Sequence, residues 1–312
     1  MNLPAPVSPW WQGIPAERWR GGRSHQRRKH KATEKKGKRR QSQQTQEDEH
    51  FRERLENLRQ RTLTTNESHH PSEYWGNIMR QKSNDVARIC LLNFSGFTLS
   101  ARSLKDDQLR KFMEEQDVDV ILLPEANVCW HKMYHCDRLH EQTFGWFEDI
   151  HQAYAYNYKD SEAEKRQYGG VVILTRNNAA SRVMESGKDD SGLGRWVWVR
   201  YRGRNGIVTC IICCYRPCVP SSNGSTGSVY AQHQRHFNDK ADDICPREAF
   251  TRDLGIEIQS WLDSGDQLIL GLDANEDMRR GPVARMLREK GMSDAVMALH
   301  GMNAPPTTDY GS

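Results

Sequence analysis

Asn93, Glu125, Asp273 and Asn275 draw attention because of where they fall. Asn93 closes a largely apolar run at 87–93. Glu125 follows Val120-Ile121-Leu122-Leu123-Pro124. Asp273 and Asn275 follow Leu268-Ile269-Leu270-Gly271-Leu272. Apolar runs of this length read as buried strands, and binding sites in α/β folds gather outside the carboxyl ends of strands. Carboxylate and amide oxygens suit a hard cation such as Mg²⁺, which takes one or two protein carboxylates and keeps several waters. One such position marks only the start of a loop; the whole set, in this order, points to a metal-assisted site. Other clusters weigh less. Cys210, Cys213 and Cys218 approach zinc-site spacing, but Cys210 and Cys213 are an odd number apart on a strand and point to opposite faces. His131 and His135 stand four apart with Cys136 beside them, a metal-binding spacing if 129–139 is helical, yet no HExxH motif accompanies them. His233 and His236 fall in what reads as a loop at 216–245, and His300 reads as a surface or loop histidine.

The elements that must position these groups follow from periodicity. Strands are expected at 87–93, 118–123, 168–174, 196–201, 207–215 and 267–271. Arg204-Asn205-Gly206 forms a hairpin turn between two of them, because Asn-Gly tolerates the positive φ that tight hairpins need. Leu104, Leu109, Phe112 and Met113 keep helical spacing. Pro246 opens a helix whose apolar face is Phe250, Leu254, Ile258, Trp261 and Leu262, and a short helix is expected at 282–290. Proline is tolerated in the first turn of a helix. Asp189-Asp190-Ser191-Gly192 reads as a turn. Strand–helix–strand, then mostly antiparallel strands, then helix–strand gives an α/β or α+β fold of two packed sheets with helices outside.

The motifs, in order, resemble the endonuclease/exonuclease/phosphatase superfamily, and within it the endonuclease domains of retrotransposons. The resemblance runs from about residue 87 to the end. It rests on Leu91-Leu92-Asn93-Phe94-Ser95-Gly96, Ile121-Leu122-Leu123-Pro124-Glu125, Gly169-Gly170-Val171-Val172-Ile173-Leu174, Cys214-Tyr215-Arg216-Pro217 and Gly271-Leu272-Asp273-Ala274-Asn275, the last with one extra residue between Gly and Asp. It implies a four-layer αββα sandwich with two mostly antiparallel sheets and a metal-dependent phosphodiester hydrolase, with Mg²⁺ or Mn²⁺ as cofactor and DNA as partner. In that scheme Glu125, helped by Asn93, holds the divalent ion. Asp273 orients the attacking water, Asn275 holds phosphate or metal-bound water, and Tyr215 donates to the phosphate. The family's terminal Ser-Asp-His motif has no counterpart here, so the last strands are expected to be missing and the activity weak or absent. The same fold also serves RNA exonucleases and inositol-phosphate phosphatases. A remnant that binds nucleic acid without catalysis is the further alternative.

Charge divides the chain. Residues 16–40 hold twelve Lys/Arg and two Glu, a local +10; the whole chain nets +4 and residues 1–15 carry no charge, so residues 41–312 net −6. Hydrophobic residues make up 36%, below the usual ~45–50%, because residues 1–82 form a basic, Gln-rich arm too polar to bury a core. One short helix is plausible at 47–59; the folded domain occupies 83–312. Arg27, Arg28, Lys29, Lys35, Lys36, Arg39 and Arg40 are candidate nucleic-acid contacts through counterion release, and Trp10, Trp11 and Trp19 can stack on bases. The same clusters read as a nuclear localisation signal, or as a solvated tail. No run approaches the ~20 apolar residues of a membrane span, and the first residues do not resemble a secretory signal. Eight cysteines, four of them within 210–218, indicate free thiols, no disulfide partner and an intracellular setting, nuclear or cytoplasmic.

Overall fold

Two four-stranded sheets face each other, each with one parallel pair at an edge. In this computed structural model, residues 82–83, 85–100, 103–219 and 225–301 are described; the basic arm's cations and the expected helix at 47–59 lie outside them. The first sheet has the order β1 (Ile89–Leu91), β2 (Val120–Pro124), β4 (Val171–Arg176), β3 (Ile150–Ala155). β1 and β2 run parallel; β2–β4 and β3–β4 are antiparallel. The second has the order β5 (Val183–Lys188), β6 (Trp196–Arg202), β7 (Val208–Tyr215), β8 (Gln267–Asp273). Here β7 and β8 run parallel and the other pairs antiparallel.

The central strands are apolar on both faces because both faces are covered. Leu122, Val171, Ile173, Val197, Val199, Ile211 and Cys213 meet between the sheets. On the outer side of the first sheet, Ile121, Leu123, Val172 and Leu174 pack with Leu109 and Met113 of α1 (Leu104–Glu115) and with Phe94, Phe97 and Trp130. Outside the second sheet, Trp196, Cys210, Ile212 and Cys214 pack with Phe250, Leu254, Ile258 and Trp261 of a long helix, Pro246–Asp263. Cys210 and Cys213 thus lie in different layers, as strand alternation requires. The result is the expected αββα sandwich. The β6–β7 hairpin turns at Asn205 and Gly206, both at positive φ (58° and 77°), as a tight hairpin needs.

Two expectations fail. Residues 129–139 do not make a helix but two 3₁₀ turns, Trp130–Lys132 and His135–Asp137. The segment buries Cys129, Trp130, Met133 and Leu139, but Met133, Tyr134 and Arg138 take extended backbone that interrupts a helix. His131 and His135 therefore do not share a helix face; His131 instead contacts the Cys129 thiol at 3.4 Å. The expected loop at 216–245 contains a helix, Val229–Asp239, that holds both His233 and His236. Ser228 caps it by accepting from the Ala231 amide. Its buried face is Val229, Gln232, His233 and Phe237, which a hydropathy pattern does not mark as apolar.

Candidate functional site

The two parallel pairs end at the same place. Asn93 lies two residues beyond β1, Glu125 directly beyond β2, and Tyr215 and Asp273 are the last residues of β7 and β8 and stand in register. Gly271 permits this convergence: a Cβ there would lie 2.3 Å from the Leu122 side chain of β2, so β8 closes onto β2 just before both strands end. The loops behind Asn93 and Glu125 are zipped together. Phe97 N–H donates to the Ala126 carbonyl at 2.8 Å, and Ala126 N–H to the Gly170 carbonyl at 3.0 Å. A Cβ on Gly96 (φ +87°) would fall 2.7 Å from Asn127 Cβ. Of the eight described non-glycine residues at positive φ, Ser95, Glu125 and Asn127 lie on these loops and Asn275 on the loop after β8. Backbone strain of that kind clusters where geometry is imposed for function.

Four of the five proposed catalytic or metal-binding residues come together. Asn93 Nδ2 donates to Glu125 Oε2 at 2.7 Å and to Asp273 Oδ2 at 3.0 Å, joining the ends of three strands. Its Oδ1 accepts from the Ser95 amide at 3.1 Å, so the nitrogen of this amide faces the carboxylates. Burial pushes the Asp273 carboxyl above the usual carboxylate range; the Asn93 bond opposes the shift and the Glu125 charge adds to it. Burial, then the neighbouring Glu125 charge, pushes the Tyr215 phenol far up, so its hydroxyl stays a hydrogen-bond donor. Asn275 is set differently. Its Nδ2 donates to the Arg216 carbonyl at 2.7 Å, which ties the loop after β8 to the loop after β7.

That tie belongs to a cluster the sequence did not disclose. Arg216 N–H donates to the Asp273 carbonyl at 3.0 Å, and the Arg216 guanidinium pairs with Glu276. Arg247, from the long helix, donates to the Pro217 carbonyl and, at 3.0 Å, to the Asn275 carbonyl. Glu276 Oε1 accepts from the Val283 amide at 2.8 Å, the first turn of the helix Pro282–Glu289. Arg216 is 2% exposed, and burial followed by the Arg247 charge pulls its pKa down. The signal was Arg216 directly after the site tyrosine; its partners lie about 30 and 60 residues away, beyond any local pattern. Cys218, weighed in the sequence only for its zinc-like spacing, lies 3.6 Å from Tyr215 Oη.

The donor set fits a hard divalent cation. Two half-buried carboxylates converge, and a polar amide is their only shared protein partner among the described residues. No group of three or more His, Cys, Asp or Glu arranged to chelate an ion occurs among the described residues; Mg²⁺ needs only one or two carboxylates with waters. Arg27, Arg28, Lys29, Lys35, Lys36, Arg39 and Arg40 lie outside the described residues. No helix among the described residues is long and apolar enough to cross a membrane.

Residues 90–312 match the model of the Endonuclease/Exonuclease/phosphatase family. No match was found among curated proteins. Similar solved structures include the catalytic domain of human Nocturnin with a bound sulfate anion (13% identity, 68% of this chain and 76% of that chain, TM-score 0.41). They include an AP endonuclease from Archaeoglobus fulgidus (14%, 72% and 79%, 0.43). A mannosyl-6-phosphatase from Bacteroides thetaiotaomicron is also similar (10%, 65% and 70%, 0.35).

Proposed function

The chain belongs to the Endonuclease/Exonuclease/phosphatase family, and from that premise we propose that it is a divalent-metal-dependent phosphodiester hydrolase acting on DNA, of the mobile-element endonuclease type. One observation carries the proposal: Glu125 and Asp273, from opposite sheets, share the Asn93 amide beside the Tyr215 hydroxyl. Glu125 would hold Mg²⁺ or Mn²⁺, which supplies Lewis-acid stabilisation of the charge developing on phosphate. Asp273 orients the attacking water and accepts its proton. Tyr215 donates to a phosphate oxygen. Asn93 keeps the two carboxylates at their spacing, and Asn275 sets the loop that carries Asp273.

No histidine among the described residues bonds to the side chains of Asn93, Glu125, Tyr215, Asp273 or Asn275. General acid–base catalysis by such a residue is worth about 10²–10⁴-fold, so we expect slow turnover. Arg216 and Arg247 are engaged by Glu276 and by loop carbonyls, which favours a phosphodiester over a polyphosphorylated small molecule. The basic arm adds sequence-independent affinity that falls steeply with salt and is compatible with nuclear targeting.

The test is nicking of a supercoiled plasmid with Mg²⁺, with EDTA, and by Glu125→Gln and Asp273→Asn. Metal-dependent nicking that both substitutions reduce at least about 100-fold is expected. Nicking that survives EDTA or both substitutions, or its absence in the unmodified chain, overturns the proposal.

A further inference from the structure

A rim of tyrosines and lysines lies at the same end of the sandwich as the site, mostly on the first sheet's loops. The connection from β3 to β4, residues 156–170, begins and ends at the site end of the sandwich. Its last residues accept the amides that follow Glu125: Asn127 N–H donates to the Gly169 carbonyl at 2.7 Å. On this connection Tyr158 is 44% and Tyr168 54% exposed; Tyr134, on the loop after β2, is 67% exposed. Aromatic rings left in water at one end of a domain, among cations, call for a ligand with flat faces and negative charge.

The lysines are placed on the rings. Lys165 Nζ lies 3.6 Å from the Tyr134 ring centre. Lys159 and Lys188 lie 4.9 and 5.7 Å from that of Tyr158. None of these lysines has a carboxylate within ion-pair distance among the described residues, while the neighbouring Asp160 and Glu162 are taken up by Arg235. Glu164 on this connection and Asp190, two residues from Lys188, are exposed acids that remain. The Tyr158 ring is fixed in place: its amide donates to the Gly192 carbonyl at 3.2 Å, and a Cβ on Gly192 would lie 2.6 Å from the ring. A ring seated against backbone loses little freedom on binding, and the lysine heads over it sit on flexible stems that a stacking base displaces toward its phosphates.

We propose that Tyr158, Tyr168 and Tyr134, with Lys159, Lys165 and Lys188, bind a single-stranded stretch of nucleic acid whose bases stack on the rings while the lysines meet its phosphates. The proposal rests on the phosphodiesterase reading for what happens at Glu125 and Asp273, and names the strand that leads there as unpaired. Stacking on aromatic side chains tolerates any base, and a duplex hides the faces these rings would contact.

Fluorescence anisotropy with labelled dT₁₂ and with a 12-base-pair duplex, in EDTA and at physiological salt, tests it on the full chain. Tyr158→Ala should weaken dT₁₂ binding about 5–50-fold and duplex binding less than twofold, and Tyr158→Phe should restore dT₁₂ binding. Lys188→Gln should lower the salt slope for dT₁₂ by about 0.7. Phe144→Ala, an exposed ring outside the rim, should change nothing. Equal dT₁₂ affinity for the unmodified chain and Tyr158→Ala overturns the rim, even if plasmid nicking proceeds. A rim that binds dT₁₂ as expected in a chain that nicks nothing leaves this inference standing and overturns the phosphodiesterase reading alone.

Discussion

The two sheets deliver their site residues by different physics. Each has four strands and a parallel edge pair whose carboxyl ends meet the other's. On the first sheet the side chains are set by backbone: positive-φ residues at Ser95, Gly96, Glu125 and Asn127, and amide-to-carbonyl bonds between consecutive loops. On the second sheet they are set largely by buried charge. Arg216–Glu276 and Arg247 fasten the loops after β7 and β8, and Arg195 joins Asp189 and Asp253 beneath the β5–β6 turn. The crossovers explain the difference. β1 reaches β2 through one helix and a crossover about half as long as the other sheet's, so neighbouring backbones can bond directly. β7 reaches β8 across more than 50 residues, and long side chains must bridge what the backbones cannot.

This contrast can be broken from either side. The largest effect is expected from Arg216→Met, which leaves Glu276 buried with only Arg247 at 3.9 Å and the helix amides facing it. Breaking a buried pair costs about 3–5 kcal/mol, and urea unfolding should show a loss of about 3. Adding Glu276→Gln should recover part of it; no recovery would mean that the pair is not what holds the second sheet's loops. Gly96→Ala comes next, with about 1–3 kcal/mol from imposed φ and overpacking. No charge partner should rescue that loss. A negligible change would show that the first sheet's loops are not fixed by backbone geometry. The smallest effect at neutral pH, and the sharpest discriminator in acid, is His233→Gln. Burial pulls His233 down to about 3, and the nearby Arg195 charge acts in the same direction. With the folded pKa depressed from about 6.5, its contribution is present above the unfolded value and is lost as pH falls from 6.5 through 3. The variant's stability should therefore decline less steeply over that window; parallel curves for the two proteins would remove His233 from the acid response.

What the sequence disclosed follows the same division. β2, the β6–β7 hairpin and the Pro246 helix were legible because burial on both faces, an Asn-Gly turn and a one-sided apolar stripe each leave a local pattern. β3 and β5 were not foreseen. They are edge strands with half-buried residues such as His151 and Gln152 and exposed ones such as Glu185 and Lys188, and such strands lack a continuous apolar run. The helix at Val229–Asp239 was hidden because it buries Gln232 and His233, a polar pair held by Tyr168 and Leu193 carbonyls. At the site, Asn93, Glu125 and Asp273 were legible as polar residues at strand ends. The ion-pair cluster was not, because Arg216, Arg247 and Glu276 meet only once the sandwich closes. Nor was the rim, where Tyr134 and Tyr158 look like ordinary loop residues until Lys159, Lys165 and Lys188 are placed over them.

Tyr215 and Asp273 sit opposite each other on adjacent strands, and both face the gap between the sheets, as Cys213 and Gly271 do two residues earlier. The site is therefore written in odd and even positions. One residue removed from the middle of β7 would turn Tyr215 toward the layer of Trp196 and Phe250 while the fold lost little of its apolar content. One residue removed from β8 would likewise carry Asp273 out of reach of Asn93. Length changes of any size in the connection between these strands leave that parity intact. Related chains should thus vary freely in how far apart in sequence their tyrosine and aspartate lie, and hardly at all in the residue count within each strand.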